Sequence, residues 1–287
     1  MVQTRQSLTT RKSHFKASTA LVMTIALAAV SLVGLGIFFK LGAAPEERQD
    51  KISKELEMKI AQLYVQAQAF REQNKMDEAI GCMKQAVELL ENDKSTDRLP
   101  LVSAYIGLSD MYRSTGKTDL GEPEVKRAKE IILKDHQEEN ALTCAILHRE
   151  GLYKYIHKDY LAAEEYFQQS LTCSSSTISS LSAETSDDLL WLAHVYLAPG
   201  MNNPEKALRC LRQVEEVSNA VERPSHMISV QKLQGMAYLA MKRYAEAEEK
   251  LLASQQLTER LFTDANHPQR VHIKKLLEQV RAAKAAK

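Results

Sequence analysis

Glycine and proline are scarce in this chain, 10 and 7 among 287 residues. Tight turns depend on both, so a fold of many short strands is disfavoured and long helices are expected. Clustered cysteine is missing as well. Cys82, Cys144, Cys173 and Cys210 lie far apart, with no Cys-x-x-Cys and no histidine at ligand spacing. That gives no sign of a disulfide framework or a zinc site, and buried thiols filling helix cores are expected. No glycine-rich phosphate loop follows a strand, no His-Glu-x-x-His occurs, and no Ser or Cys sits in a nucleophile signature. The histidines, at 14, 136, 148, 157, 194, 226, 267 and 272, are scattered. An enzyme is therefore not expected, and no cofactor or metal is called for. A strong charge imbalance is absent too. The net charge is +1, and removing Arg5, Arg11, Lys12 and Lys16 of the acid-free first 18 residues leaves −3 for the rest. Such a body offers no basic field to nucleic acid, and its aromatics are not interleaved with Arg or Lys.

What is present begins with a long apolar run. No charged residue occurs from Ala17 to Phe39, and Thr19 to Phe39 is 21 residues long, which as a helix spans roughly 30 Å, enough to cross a bilayer. A cleavable signal peptide has a shorter apolar core of about 7 to 15 residues, and here Gly42-Ala43-Ala44 is followed by Pro45, a poor residue after a cut. An uncleaved single-pass anchor is expected, bounded by Lys16 and Lys40. By the positive-inside rule the tail stays on the cytoplasmic or matrix side and the body lies across the membrane, whereas an outer-mitochondrial anchor leaves the body in the cytosol. Residues 1–18 have the composition of an organellar targeting segment or of a plain basic flank. The expected address is mitochondrial, inner membrane before outer, with a type II endomembrane anchor or a bacterial inner membrane as alternatives.

Past the anchor the sequence repeats. Small residues fall at Ala67, Ser109, Gly151, Ala193 and Gly235, neighbours differing by 42. Twelve places on, a second set reads Ala79, Gly121, Ala163 and Ala247, with Glu205 in the fourth slot and Ala207 two places later. The fourth repeat thus carries a longer turn, supplied by Ala198-Pro199-Gly200-Met201-Asn202-Asn203-Pro204. A large residue follows the first set by three at Phe70, Tyr112, Tyr196 and Tyr238. Lys154 breaks this, with Tyr153 or Tyr155 beside it. Small residues let paired helices approach, the bulky neighbour fills the gap, and stacked pairs bury a continuous core.

These segments resemble tetratricopeptide repeats, with Gly151, Tyr160, Ala163 and Phe167 matching in one and Gly235, Tyr238, Tyr244 and Ala247 in another. The resemblance covers residues 55–262 and implies an all-α fold: a right-handed α-solenoid of five helix pairs. The spacing exceeds the usual repeat of about 34 residues and is similar to that of kinesin light chains, as is His267-Pro268. The chain lacks their long heptad coiled coil, so a kinesin role is not implied. The expected organisation is a basic segment 1–18, a transmembrane helix 19–39, a linker 40–54, repeats 55–262, and a capping helix with basic tail 263–287. In that helix Val271, Leu276, Leu277 and Val280 are expected to face inward. The serine-rich stretch from Ser174 to Ser186 is expected to be a solvated loop.

In this family the concave groove is lined from the first helix of each pair. Transferring those positions gives Tyr64, Gln68, Arg71, Ile106, Asp110, Arg113, His148, Leu152, Tyr155, Leu190, His194, Leu197, Lys232, Met236 and Leu239. The groove is then basic near the membrane and apolar farther along, suited to a peptide or helix with an acidic start and a hydrophobic end. The chaperone-binding carboxylate clamp of the family is not implied, because its slots hold Tyr64, Gln68, Gly107, Ala145 and Arg149, of which only Arg149 fits. The expected role is a membrane-anchored scaffold or assembly factor that binds other proteins. A structural subunit and an outer-membrane import receptor are the alternatives.

Overall fold

The structure is a computed structural model that describes residues 53–95, 97–135, 141–177, 183–221 and 224–286. The expected anchor and its basic flank lie outside the described residues, as does most of the linker. Among the described residues no helix is long and apolar enough to cross a membrane.

The described residues fold into helices α1 (Lys54–Glu72), α2 (Met76–Glu91), α3 (Leu99–Ser114), α4 (Thr118–Asp135), α5 (Ala141–Ile156), α6 (Tyr160–Thr177), α7 (Ala183–Tyr196), α8 (Pro204–Val221), α9 (Pro224–Ala240), α10 (Tyr244–Leu261) and α11 (Pro268–Ala285). Helix α2 shows why. Its buried residues Ala79, Ile80, Met83, Ala86, Val87 and Leu90 recur at helical spacing, and Asp77 and Glu78 sit in the first turn, where they complement the backbone dipole.

Each helix packs on its chain neighbours. In addition α3 meets α5, α5 meets α7, α7 meets α9, and α9 meets α11. The first helices of successive pairs therefore form one layer, which α11 completes, and the second helices form the other. Ala67, Ala79, Ser109, Ala163, Ala193, Ala207 and Ala247 are all buried at the pair contacts. A Cβ added to Gly151 would lie 2.9 Å from the Phe167 ring, and one on Gly235 would lie 2.6 Å from Leu251 Cγ, so glycine sets how closely those pairs approach. Gly121 is held against the Ser109 carbonyl and the hydroxyl of Tyr153. That tyrosine is buried and bonds Ser109 Oγ at 2.7 Å, filling the space between pairs two and three.

A further regularity sits in the turns. Asn74 (φ 60°), Gly116 (75°), Lys158 (64°), Gly200 (90°) and Lys242 (59°) all adopt the left-handed conformation, and neighbours again differ by 42. At four of the five the next residue donates to the carbonyl five back, as in Lys75 N to Phe70 O at 2.8 Å and Arg243 N to Tyr238 O at 2.9 Å. This is the Schellman ending of a helix. After α7 the longer turn adds a second left-handed residue, Asn202 (φ 38°), and closes when Asn203 N donates to Tyr196 O at 2.9 Å.

Three sequence expectations need correction. Cys144 and Cys173 form a disulfide that ties α5 to α6, with Cα atoms 5.4 Å apart. The hairpin turn at Lys158 lies midway between them, so 29 residues of separation fold into direct opposition. Cys82 is buried and free, and burial pushes the free Cys210 thiol up to about 11. The serine-rich stretch is not wholly a solvated loop: α6 runs to Thr177, α7 starts at Ala183, and Ser174, Thr185 and Ser186 are buried. In α11 the inward residues are Ile273, Leu276, Leu277 and Val280, while Val271 is exposed. Ile273 is one turn from Leu276 and Leu277; Val271 falls off that face.

Candidate functional site

The residues assigned to the groove lie on the layer of first helices, where they differ in what they can offer. On α1, the Tyr64 hydroxyl is buried without a partner, and burial raises its pKa well above the ordinary tyrosine range. Gln68 donates to Glu72 (3.1 Å) and accepts from the exposed Arg71 (3.2 Å). On α3 and α5 the expected basic patch is internally neutralised. Asp110 accepts from Arg149 and lies 3.7 Å from Arg113, while Arg149 also donates to the Ala145 carbonyl at 2.9 Å. The Nε groups of both arginines stay buried without acceptors. Ile106, Leu152 and Leu190 are in the core, so the helix-layer contacts consume them and they offer no groove surface.

His148 is also committed. Its Nδ1 lies 2.7 Å from Oδ1 of Asp188, a fully buried carboxylate whose Oδ2 accepts from Ser170 Oγ at 2.8 Å. Beside it stands a ring cluster. Tyr155 packs on Tyr160, Trp191 and His194 at centroid distances of 5.5, 5.4 and 6.3 Å. Trp191 stacks on Phe167 and lies 5.2 Å from His194. Leu197, Met236 and Leu239 are partly buried against neighbouring core residues.

The far end carries titratable groups beside its apolar ones. His194 on α7, Lys232 on α9 and His272 on α11 lie within each other's field. Burial, then the Lys232 and His272 charges, push His194 down to about 4. Burial lowers Lys232 below the ordinary lysine range, and burial followed by Lys232 and Lys275 lowers His272. Among the described residues none of the three has a hydrogen-bond or ion-pair partner. Lys232 and His194 were within reach of the sequence comb. His272 was not, because α11 has no second helix and carries no comb position.

Two layers of antiparallel pairs, five left-handed turns in phase and a closing helix define the architecture. Among solved structures, the chain is similar to the nearly identical TPR-like repeats of a protein from Podosopora anserina described as a kinesin light chain. The two share 18% identity over 74% of this chain and 99% of that one, with a TM-score of 0.58. The fold is tetratricopeptide-type. The same likeness extends to BtubC from P. vanneervenii (14% identity, 73% and 93% coverage, TM-score 0.57). It extends also to a Rap protein complexed with competence and sporulation factor (13% identity, 82% and 62% coverage, TM-score 0.61). No protein-family model matches the sequence, and no curated protein does.

Within this tetratricopeptide-type array some outer charges pair with one another. Lys117 bonds Asp77 across two turns at 2.7 Å, and Arg281 and Lys284 of the basic tail both bond Glu248, at 2.9 and 3.2 Å. The tail is thus held to α10, which accounts for its two paired cations without a lipid or partner.

Proposed function

We propose that this chain is a membrane-anchored scaffold or assembly factor that binds a peptide or helix of a partner protein along its layer of first helices. One observation carries the reading. That layer holds buried polar atoms without internal partners: the Tyr64 hydroxyl and the Arg113 and Arg149 Nε groups. Buried donors left unmatched cost stability, and a partner's acceptors would satisfy them. The Rap protein found with competence and sporulation factor has this fold in complex with another molecule, which supports the same use here.

The anchor, residues 19–39, is proposed to sit in the mitochondrial inner membrane with the repeats on its outer side. The Cys144–Cys173 bridge supports a body on an oxidising side, since reducing compartments keep thiols open. By the same argument an outer-membrane import receptor facing the cytosol fits less well. A structural subunit is the second reading, favoured by the packing of Met236 and Leu239 against core residues. A photo-crosslinking side chain in place of Tyr155, with the full chain in its own membrane, tests the scaffold. Discrete crosslinked partners are expected, and crosslinks confined to the chain itself would reject the reading. Protease protection of a C-terminal tag, beside thiol labelling of Cys144 and Cys173, tests the address.

A further inference from the structure

Six ring contacts gather at one junction of the array, between pairs three and four. They are built on a fixed floor. Phe167 on α6 is fully buried, and a Cβ on Gly151 would lie 2.9 Å from its ring, so α5 closes tightly over it. Trp191 on α7 stacks on Phe167 with centroids 6.1 Å apart and planes 10° apart. His148, held by the buried Asp188, meets Phe167 edge-on at 5.5 Å. The Cys144–Cys173 bridge ties the same two helices, α5 and α6.

Beyond this floor the rings leave the core. Tyr155, Tyr160 and Trp191 are only partly buried. Tyr155 meets Tyr160 at 60° and Trp191 at 66°, so the three stand as steps and not as one closed stack. Among the described residues neither tyrosine hydroxyl, nor the Trp191 indole N–H, has a hydrogen-bond partner. The carboxylates that adjoin them in sequence are engaged elsewhere. Asp159 accepts from Ala162 N, Glu164 from Tyr196 and Lys206, and Asp188 from Ser170 while it holds His148. This surface therefore offers ring faces and hydrogen-bond donors, and few acceptors.

We infer that Tyr155, Tyr160 and Trp191 form a docking site for a proline-rich segment of a partner protein, its pyrrolidine rings seated on the aromatic faces and its carbonyls accepting from their polar tips. The inference rests on the reading that this array binds protein, and it names the class of segment bound. Proline has no N–H, and a proline-rich strand is extended with no internal hydrogen bonds, so it brings unpaired carbonyls and almost no donors. That is the complement of this surface. Such a strand is also ordered before it binds, so little freedom is lost when it is seated on rings already fixed from below. A helical segment has most of its carbonyls bonded internally and gains little from the three donors. A cationic guest over the rings would meet the Lys232 charge that acts at His194.

The test uses the full chain in detergent micelles and two sets of fluorescein-labelled decapeptides, read by anisotropy. One set carries proline at alternate positions with random residues between, and the other has every proline replaced by alanine. The wild type is expected to hold the proline set about tenfold more tightly, with a blue shift in the emission of Trp191, the single tryptophan. Trp191→Leu should remove the preference for proline. Tyr155→Phe keeps the ring and loses one donor, and should weaken the proline set about fivefold. Thermal melting followed by circular dichroism shows that each variant is folded. Equal binding of the two sets, or a proline preference that survives Trp191→Leu, overturns the docking site while leaving protein binding intact. Binding of neither set also overturns the site, and the scaffold reading then stands or falls with the crosslinking from position 155.

Discussion

At the scale of the residue, His194 has the clearest consequence for stability. Its folded pKa, about 4, lies below the ordinary histidine value of 6.5, so the folded state binds fewer protons than the unfolded one. Its contribution is present above pH 6.5, declines as the pH falls, and is lost once the pH passes about 4. The full loss is about 3 kcal/mol. His194→Phe, which keeps a ring against Trp191, should flatten the fall in stability between pH 7 and 4, measured by urea unfolding at fixed pH values. Unchanged acid sensitivity would show that the imidazole is not the group responsible. Residues of this kind were only half legible in the sequence. The comb put His194 and Lys232 on the right layer. It could not show that Asp110 takes up Arg149, because that ion pair joins groups 39 residues apart and depends on how far neighbouring pairs rotate. Ile106, Leu152 and Leu190 failed for the same reason: their positions repeat, but their burial depends on the neighbour.

At the scale of the element, helices and turns were the most legible, since small and bulky residues recur at fixed intervals and a 3.6-residue period does the rest. The left-handed turn residues were less so. Only Gly116 and Gly200 announce themselves, whereas Lys158 and Lys242 occupy a conformation that costs an L-residue about 1 kcal/mol or more. Lys158→Gly and Lys242→Gly should each stabilise the protein by up to about 1 kcal/mol, read as a rise in Tm, and the Schellman bonds from Asp159 and Arg243 should persist. A drop in Tm would mean that the lysine side chains hold the turns by some other contact. The disulfide acts on one hairpin. Closing a loop of 29 residues is worth about 3 to 4 kcal/mol in the chain-entropy view, so Cys144→Ser with Cys173→Ser should lower stability by roughly that amount. Because it joins helices that already pack, the loss should appear as local opening of α5 and α6 in hydrogen exchange before global unfolding.

At the scale of the whole molecule, the repeat array has no central core. Among the described residues most buried hydrophobic side chains fall into three successive clusters, the last of which joins α9 and α10 to α11 through Ile228, Leu251, Ile273, Leu277 and Val280. Stability in such an array is a sum over neighbours, and an end unit protects the one before it. Truncation before Pro268 should therefore expose Ile228 and Leu251, loosen α9 and α10 first, and leave α1 to α4 protected. Hydrogen exchange resolved by peptide checks this. A uniform loss of protection would show that the array unfolds as one unit.

The turn after α7 is where the array admits extra chain. Gly200 holds the phase set by Asn74, Gly116, Lys158 and Lys242, and the added residues follow it, between Met201 and Asn203, before α8 resumes with Ala207 at the usual depth in its helix. The excess is given back before Gly235, so the fifth pair is in step with the first three. In engineering terms this turn is a splice point: a tag or a fluorescent domain placed there should ride on the array without changing its pitch.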